Sequence, residues 1–109
     1  MDSIYLIITT VAKQEDAKKL ADLAIEKNIA GCAQIQSQCI SIYRWQGQIE
    51  TATEFPVHFK TNEANKQALM SLLKQNHPYD VPEIICIKID DVDSDYAEWL
   101  NAQINSKND

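Results

Sequence analysis

The sequence is poor in the residues on which several classes of functional site depend. Its 109 residues include only two glycines, Gly31 and Gly47, so it has no glycine-rich phosphate-binding loop. The three cysteines, Cys32, Cys39 and Cys86, form no C-x-x-C pair, which excludes a thioredoxin-type motif and a soft-metal chaperone loop. An odd number of widely spaced cysteines is typical of a reducing compartment.

Basic residues and long apolar runs are also scarce. Ten Lys and Arg residues stand against sixteen Asp and Glu residues, which gives a net charge of −6. Because phosphate binding depends on concentrated Lys and Arg, we expect no nucleic acid and no membrane among the partners. The apolar run at residues 4–8 follows no basic segment and is too short for a signal peptide or a membrane span. We therefore expect a cytoplasmic protein.

Signatures of catalysis are absent as well. The sequence contains neither a nucleophile elbow nor an H-E-x-x-H zinc motif. We therefore expect that the protein is not an enzyme.

The apolar pattern predicts the element order β-α-β-β-α-β, followed by a last helix. Residues 4–8 are apolar almost throughout, as in a strand that is central in its sheet. Apolar residues recur at helical spacing over residues 17–24, and residues 83–89 form a second apolar strand. This order is that of an α+β, ferredoxin-like fold, with an antiparallel sheet and two helices on one face. We expect one domain over residues 1–109.

Several residues are candidates for helix ends. Gly31 is expected in a C-cap-like position, or in a turn just beyond the first helix. Asn62 is expected to be the N-cap of the second helix. Asp93 or Ser94 is expected to cap the last helix, whose apolar side would carry Tyr96, Trp99 and Leu100.

The longest predicted feature is a hairpin over residues 32–61. Its tip is the sequence Trp-Gln-Gly-Gln, in which Gly47 supplies the positive φ that a tight turn requires. The parity of the apolar residues on the first arm changes between Ile35 and Ile40. Because side chains on a strand alternate with a period of two, this change predicts a bulge or bend within residues 36–39.

The second arm of the hairpin alternates regularly, with Phe55, Val57 and Phe59 on one side. Pro56 cannot donate a ladder hydrogen bond, so we expect its nitrogen to face an unpaired edge or a bulge. With two helices on one face of the sheet, we expect the open face to expose Phe and Ile side chains. Such a patch, together with arms longer than the usual ~5–6 residues, indicates an oligomer.

His77 is the first candidate for functional chemistry. It precedes a proline, so it is expected at the end of the second helix. Its charge changes near neutral pH, which suits a metal ligand or an acid-base group. The alternative is a helix cap, in which the imidazole bonds the last free carbonyls.

Two further groups of residues have both a functional and a structural interpretation. Cys32 could be a nucleophile or a thiolate ligand, or simply a buried, inert cysteine. Glu54, His58 and Lys60 share one strand face and could bind an anion or transfer protons. Regular alternation alone would also place these three in a solvent-facing polar row.

Aromatic residues are the last candidates. Tyr43, Trp45 and Tyr79 could form a platform on which a small ring stacks. Aromatic residues at a hairpin tip also pack against neighbouring subunits.

Residues 77–84, His-Pro-Tyr-Asp-Val-Pro-Glu-Ile, resemble the hallmark of the CutA family, the divalent-cation tolerance proteins. Weaker blocks resemble the same family in the right order. They are Ala-Gly-Cys-Ala at 30–33, Ser-Ile-Tyr-Arg-Trp-Gln-Gly at 41–47, Lys-Thr at 60–61 and Asp-Tyr-Ala-Glu-Trp-Leu at 95–100.

This resemblance implies a homotrimer that is similar in architecture to the PII signalling proteins, with hairpin strands that pair across subunit edges. It also implies a function in divalent-cation (copper) tolerance with weak metal binding. No cofactor is expected to be obligatory, and Cu2+ or another divalent cation is the candidate ion. Some members have His where this chain has Asn76, and some have Cys where it has Thr9-Thr10. His77 is the metal ligand that carries over.

The main alternative is a PII-like signalling or small-ligand-binding module. A small anionic ligand would then lie in the clefts between subunits, lined by Cys32, Trp45, Glu54, Lys60 and Tyr79. A scaffold that recruits partner proteins and an enzyme that uses Cys32 are further alternatives.

Overall fold

The computed structural model describes residues 3–105 and has an α+β architecture. Its elements follow the predicted order, except that the first arm of the hairpin forms two strands. None of the helices within this range is long and apolar enough to cross a membrane. In chain order the elements are β1 (Ile4–Val11), α1 (Gln14–Glu26), β2 (Cys32–Ile35), β3 (Cys39–Trp45), β4 (Gln48–Asn62), α2 (Lys66–Asn76), β5 (Ile84–Lys88) and α3 (Ser94–Asn105).

The strands form an antiparallel sheet in the order β2-β4-β1-β5. Strand β3 pairs with the outer half of β4 and lies off this path. Strand β1 is flanked on both sides and is largely buried, as its apolar sequence predicts. This arrangement agrees with the order of elements predicted from the sequence.

Helices α1 and α2 cover one face of the sheet and enclose the main core. The core takes alternate residues of β1 and β4, so Phe59 is fully buried and Phe55 packs against the same cluster. The expectation that phenylalanines lie on the open face is therefore wrong, because their parity directs them to the helices. The buried residues of this core are Ile7, Val11, Ala17, Leu20, Ala24, Ala30, Val57, Phe59, Leu69 and Leu73.

Helix α3 packs on a second apolar cluster, in which Leu100 and Ile104 contact Ile4. Asp93 caps this helix as predicted, because its Oδ2 accepts the backbone N–H of Tyr96 at 3.1 Å. Tyr96 and Trp99, which were expected on the apolar side with Leu100, are exposed instead. Their ring centroids are 5.8 Å apart. The buried residues of α3 are Ala97, Leu100 and Ile104.

Gly31 has a different role from the predicted one. The residue with positive φ after α1 is Asn28, at 59°. A Cβ atom at Gly31 would lie 2.6 Å from Cδ1 of Leu100. Gly31 is therefore required for the close approach of α3, and Asn28 makes the left-handed turn that ends α1.

Asn62 is not the N-cap of α2, because it is the last residue of β4 and the cap position belongs to Asn65. Its buried side chain links three segments. Oδ1 of Asn62 accepts the backbone N–H of Asn65 at 3.2 Å, and its Nδ2 donates to Oδ1 of Asn101 at 2.8 Å. The side chain that resembles a cap in sequence thus ties the end of β4 to α3.

The hairpin bends where the sequence predicts. Ile35 lies opposite Val57 and Cys39 opposite Glu54, so residues 36–38 face only residues 55–56. The carbonyl of Pro56 accepts the N–H of Gln36 at 2.8 Å. Because N and C=O of one residue point to the same side in an antiparallel ladder, the proline nitrogen faces this bend. Pro56 has no backbone N–H, but because its nitrogen faces the bend, no hydrogen bond to β1 is lost.

Beyond the bend, the hairpin extends past the rest of the chain. The longest dimension of the described chain, hairpin included, is 47 Å. The hairpin turn has positive φ at Gln46 (51°) and Gly47 (82°), as a type I′ turn requires. Ile40, Ile42 and Ile49 lie on one face and are 71%, 69% and 67% exposed. The described chain leaves this isoleucine face uncovered.

Candidate functional site

A pocket of about 730 Å³ opens at the root of the hairpin, beside the loop between α2 and β5, and runs along the hairpin towards Trp45 next to the turn. Trp45, Glu54 and Tyr79, three of the five residues predicted for a ligand cleft, line it together. The pocket residues are Thr10, Ser41, Ile42, Tyr43, Trp45, Glu54, Tyr79, Asp80, Val81 and Glu83.

Glu54 is the most deeply buried carboxylate of this pocket, with only 7% of the residue exposed. Its Oε2 accepts hydrogen bonds from the hydroxyls of Tyr79 at 2.8 Å and Thr10 at 3.3 Å. No basic side chain between residues 3 and 105 forms an ion pair with it. Glu54 is therefore not part of a solvent-facing polar row, because the bend and the neighbouring loop cover it.

Tyr79 donates the shorter of these two bonds. Burial, together with the hydrogen bond to Glu54 and the charge of that carboxylate, raises the pKa of the Tyr79 phenol well above its usual value. The phenol therefore stays protonated at neutral pH and acts as a donor. It holds the Glu54 carboxylate in place from the side of the α2–β5 loop.

His77 occupies the C-cap position at the end of α2, as predicted, but its imidazole does not bond the last carbonyls of that helix. Its Nδ1 accepts the backbone N–H of Tyr79 at 3.1 Å, and its Nε2 lies 3.0 Å from the carbonyl oxygen of Thr10. Because the amide can only donate and the carbonyl can only accept, the ring is the neutral Nε2–H tautomer. The capping interpretation expected the imidazole to bond the last carbonyls of α2. That expectation is wrong, because the imidazole bonds the carbonyl of Thr10 on β1 instead.

Thr10 joins these side chains, a role that was not predicted. Its hydroxyl donates to Glu54 while its carbonyl accepts from His77. The register of β1 against β4 pairs Thr10 with Pro56, which brings it close to Glu54. Asp80 and Glu83 also line the pocket and were not predicted. Their place in the 77–84 block was the only available signal.

Cys32 and Lys60 lie away from this pocket. They face each other in the ladder between β2 and β4. Lys60 donates from Nζ to Oε1 of Gln34 at 2.7 Å, and Cys32 packs against the α3 cluster. Six residues of extended strand separate Lys60 from Glu54, which corresponds to roughly 20 Å. One chain therefore does not assemble the predicted five-residue cleft.

The geometry for metal binding is limited. Within residues 3–105, no group of three or more His, Cys, Asp or Glu side chains is placed to hold an ion. Both nitrogens of His77 are already in hydrogen bonds. The metal-ligand role of His77 stays a prediction, and it requires one of these bonds to break.

His77 is expected to make stability depend on pH. Burial lowers its pKa in the folded chain, and this outweighs the opposing bond to Thr10 and the nearby carboxylates. The unfolded chain therefore takes up a proton first as the pH falls below ~6.5. The contribution of His77 to the free energy of unfolding is complete above that pH, and it is lost as the pH falls towards the folded-state pKa.

Urea unfolding of wild type and His77→Gln between pH 7.5 and pH 5 measures this effect. We expect a shallower loss of stability with falling pH in His77→Gln than in wild type. Identical slopes for wild type and His77→Gln would contradict the assignment.

A profile of the CutA1 divalent ion tolerance protein family matches residues 5–103. The divalent-cation tolerance protein CutA of Pectobacterium atrosepticum is 35% identical over 99 residues, which cover 91% of this chain and 90% of that protein. The protein of the same name from Yersinia pestis is 33% identical and covers 91% of this chain and 83% of its own length. The similarity thus extends over nearly the whole of each protein.

Solved structures agree with this match. Divalent ion tolerance protein CutA1 from Ehrlichia chaffeensis has a TM-score of 0.91 and 31% identity, covering 95% of this chain and 97% of its own. The periplasmic divalent cation tolerance protein CutA from Archaeoglobus fulgidus has a TM-score of 0.89 and 29% identity, covering 93% and 98%. Because that protein is described as periplasmic, the cytoplasmic location of this chain stays a prediction. The matches in sequence and in fold together show that this chain belongs to the CutA1 divalent ion tolerance protein family.

Proposed function

We propose that this chain acts in tolerance of divalent metal ions as a homotrimer and that it catalyses no reaction. Membership of the family supports the link to metal tolerance. The observation that carries the assembly is the isoleucine face of the hairpin, whose three members are each about two-thirds exposed. Contiguous apolar surface of this kind marks a protein interface.

A second apolar surface can receive the hairpin. The sheet face opposite α1 and α2 presents Ile85 and Ile87, which are 43% and 46% exposed. A hairpin that extends past its own sheet can lie over this face of a neighbouring copy. Head-to-tail contacts between unlike surfaces generate closed rings when the rotation closes. In a PII-like ring of three, each hairpin would cover the open sheet face of the next subunit, so both apolar surfaces would be buried.

We also propose that Cu2+ or a similar ion binds weakly at His77. Imidazole is a good ligand for Cu(II). The lone pair of Nδ1 points at the amide of Tyr79, so an ion must displace that hydrogen bond to bind. This competition, together with the single histidine in each subunit's site, accounts for weak binding, and further ligands would come from a neighbouring copy.

Native mass spectrometry during a Cu(II) titration tests both proposals. We expect a trimer that takes up one copper per chain at micromolar concentration. His77→Ala should lose this uptake, while His58→Ala should retain it as the matched control. A monomeric wild-type protein would contradict the assembly. Undiminished copper uptake by a His77→Ala trimer would contradict the ligand.

A small-ligand-binding function is the second candidate. It is favoured by the pocket that brings Trp45, Glu54 and Tyr79 together at the root of the hairpin. This is the part of the chain that a PII-like assembly would place beside a neighbouring subunit. The predicted anionic ligand is disfavoured, because the pocket is lined by three carboxylates and by no Lys or Arg.

A further inference from the structure

We infer that the pocket at the root of the hairpin binds an organic cation, an ammonium or guanidinium group on a small apolar body. This inference rests on the second candidate function, in which the pocket holds a small ligand. It does not depend on copper at His77.

Glu54 has no cationic partner in the described chain. Only 7% of the residue is exposed, and no basic side chain within the described range forms an ion pair with it. Buried charges in proteins are generally paired, because removing an ion from water without a partner is strongly unfavourable. A cation that enters the pocket would supply the missing partner.

One oxygen of the Glu54 carboxylate, Oε1, has no hydrogen-bond donor in the described chain. Both hydrogen bonds to Glu54 reach Oε2, and no described residue donates to Oε1. No side-chain N or O atom in the described chain is both fully enclosed and without a hydrogen bond, so Oε1 retains access to the pocket. An ammonium or guanidinium N–H can therefore reach Oε1 without breaking either existing bond.

The walls of the pocket suit the rest of such a ligand. Tyr43 and Trp45 are each 45% exposed and stand on the same face of the hairpin, with Tyr79 across the pocket. The faces of aromatic rings attract cations through their quadrupoles. Asp80 and Glu83 are exposed members of the lining and add negative charge there.

An inorganic divalent ion fits the same pocket less well. Hard cations take about six oxygen ligands in a compact arrangement. The pocket offers one free buried carboxylate oxygen, and no group of three ligating side chains occurs between residues 3 and 105. An organic cation needs only one carboxylate and an apolar surface, and the pocket provides both.

The test uses three small molecules of nearly equal shape with the assembled protein at pH 7.5. Phenethylamine is the cation, 2-phenylethanol the neutral analogue and phenylacetate the anion. We expect phenethylamine to shift the ring resonances of Tyr79, whose hydroxyl donates to Glu54, saturably, with the other two at least about tenfold weaker. Tyr96, on α3 and outside the pocket, is the internal control and should not shift.

Variants locate the site. Glu54→Gln keeps an oxygen acceptor for Tyr79 and Thr10 but removes the charge, so it should weaken phenethylamine binding about tenfold. Glu98→Gln makes the same change at an exposed position of α3 and should have no effect. Tyr43→Leu should also weaken binding, and it decides the question if Glu54→Gln does not fold.

Several results would overturn the inference. They are binding of phenylacetate as tight as that of phenethylamine, unchanged binding by both Glu54→Gln and Tyr43→Leu, and no Tyr79 shift with any probe at millimolar concentration. The amine titrations are run with a chelator present, so that no metal ion contributes to them. Amine binding and copper uptake at His77 are therefore independent results, and either can fail while the other succeeds.

Discussion

Replacing Gly31 by alanine is expected to reduce the free energy of unfolding by about 1–3 kcal/mol, because the new methyl group overpacks the contact with α3. A Cβ atom there lies 2.6 Å from Cδ1 of Leu100 and 3.1 Å from its carbonyl oxygen. Leu100 is fully buried in the α3 cluster, so it cannot yield without loss of packing. Urea unfolding at one fixed protein concentration measures the change, because assembly makes stability depend on concentration.

A double-mutant cycle separates this contact from a general effect of removing glycine. Leu100→Ala alone should cost about 2–5 kcal/mol through the cavity that it leaves. In the Leu100→Ala background, Gly31→Ala should cost much less, because the contacts at 2.6 Å with Cδ1 and 3.1 Å with Cγ are gone and only the contact with the backbone carbonyl oxygen remains. Gly47→Ala is the control: a Cβ there meets nothing within 4 Å, and its cost, from φ of 82°, should add independently. Additive effects of Gly31→Ala and Leu100→Ala would contradict the packing explanation.

Replacing Ile40 by aspartate is expected to convert the proposed homotrimer into monomers. In the single chain Ile40 is 71% exposed, so a carboxylate there should change the stability of a monomer by no more than about 0.5 kcal/mol. If a neighbouring copy covers this side chain, the same change buries an unpaired charge at several kcal/mol for each contact. Sedimentation velocity across a range of protein concentrations measures the assembly state.

Ile25→Asp is the matched control for this experiment. Ile25 is an exposed isoleucine on α1, away from both the hairpin and the open sheet face, and it is 41% exposed. Its replacement should leave the assembly intact. A wild-type monomer would refute the homotrimer, and a trimeric Ile40→Asp protein would show that the isoleucine face of the hairpin is not the interface.

The candidate site was only partly predictable. The sequence correctly placed His77 at the end of α2. It proposed Trp45, Glu54 and Tyr79 for one ligand cleft, and all three line the same pocket. It grouped Lys60 with Glu54 because both lie on one strand face, but shared parity does not mean proximity along a long strand. Thr10 was missed because threonine is an ordinary strand residue, and only the pairing of β1 with β4 brings it to Glu54.

Features that depend on short-range rules were predictable from the sequence. The order of the elements, the tight turn at Gly47, the bend at 36–38 and the common face of Phe55, Val57 and Phe59 follow from local backbone preferences and side-chain periodicity. These rules act over a few residues, so the features that they govern can be predicted without knowing which distant segments pack against them.

Roles that depend on distant partners became visible in the folded chain alone. Gly31 resembles a helix end in sequence, but its role is set by Leu100 of α3. His77 resembles a free ligand or a cap, yet Thr10 of β1 occupies one nitrogen and Tyr79 the other. The physical reason is the same in each case: packing and hydrogen bonding act through space, and the sheet register brings together residues far apart in the chain.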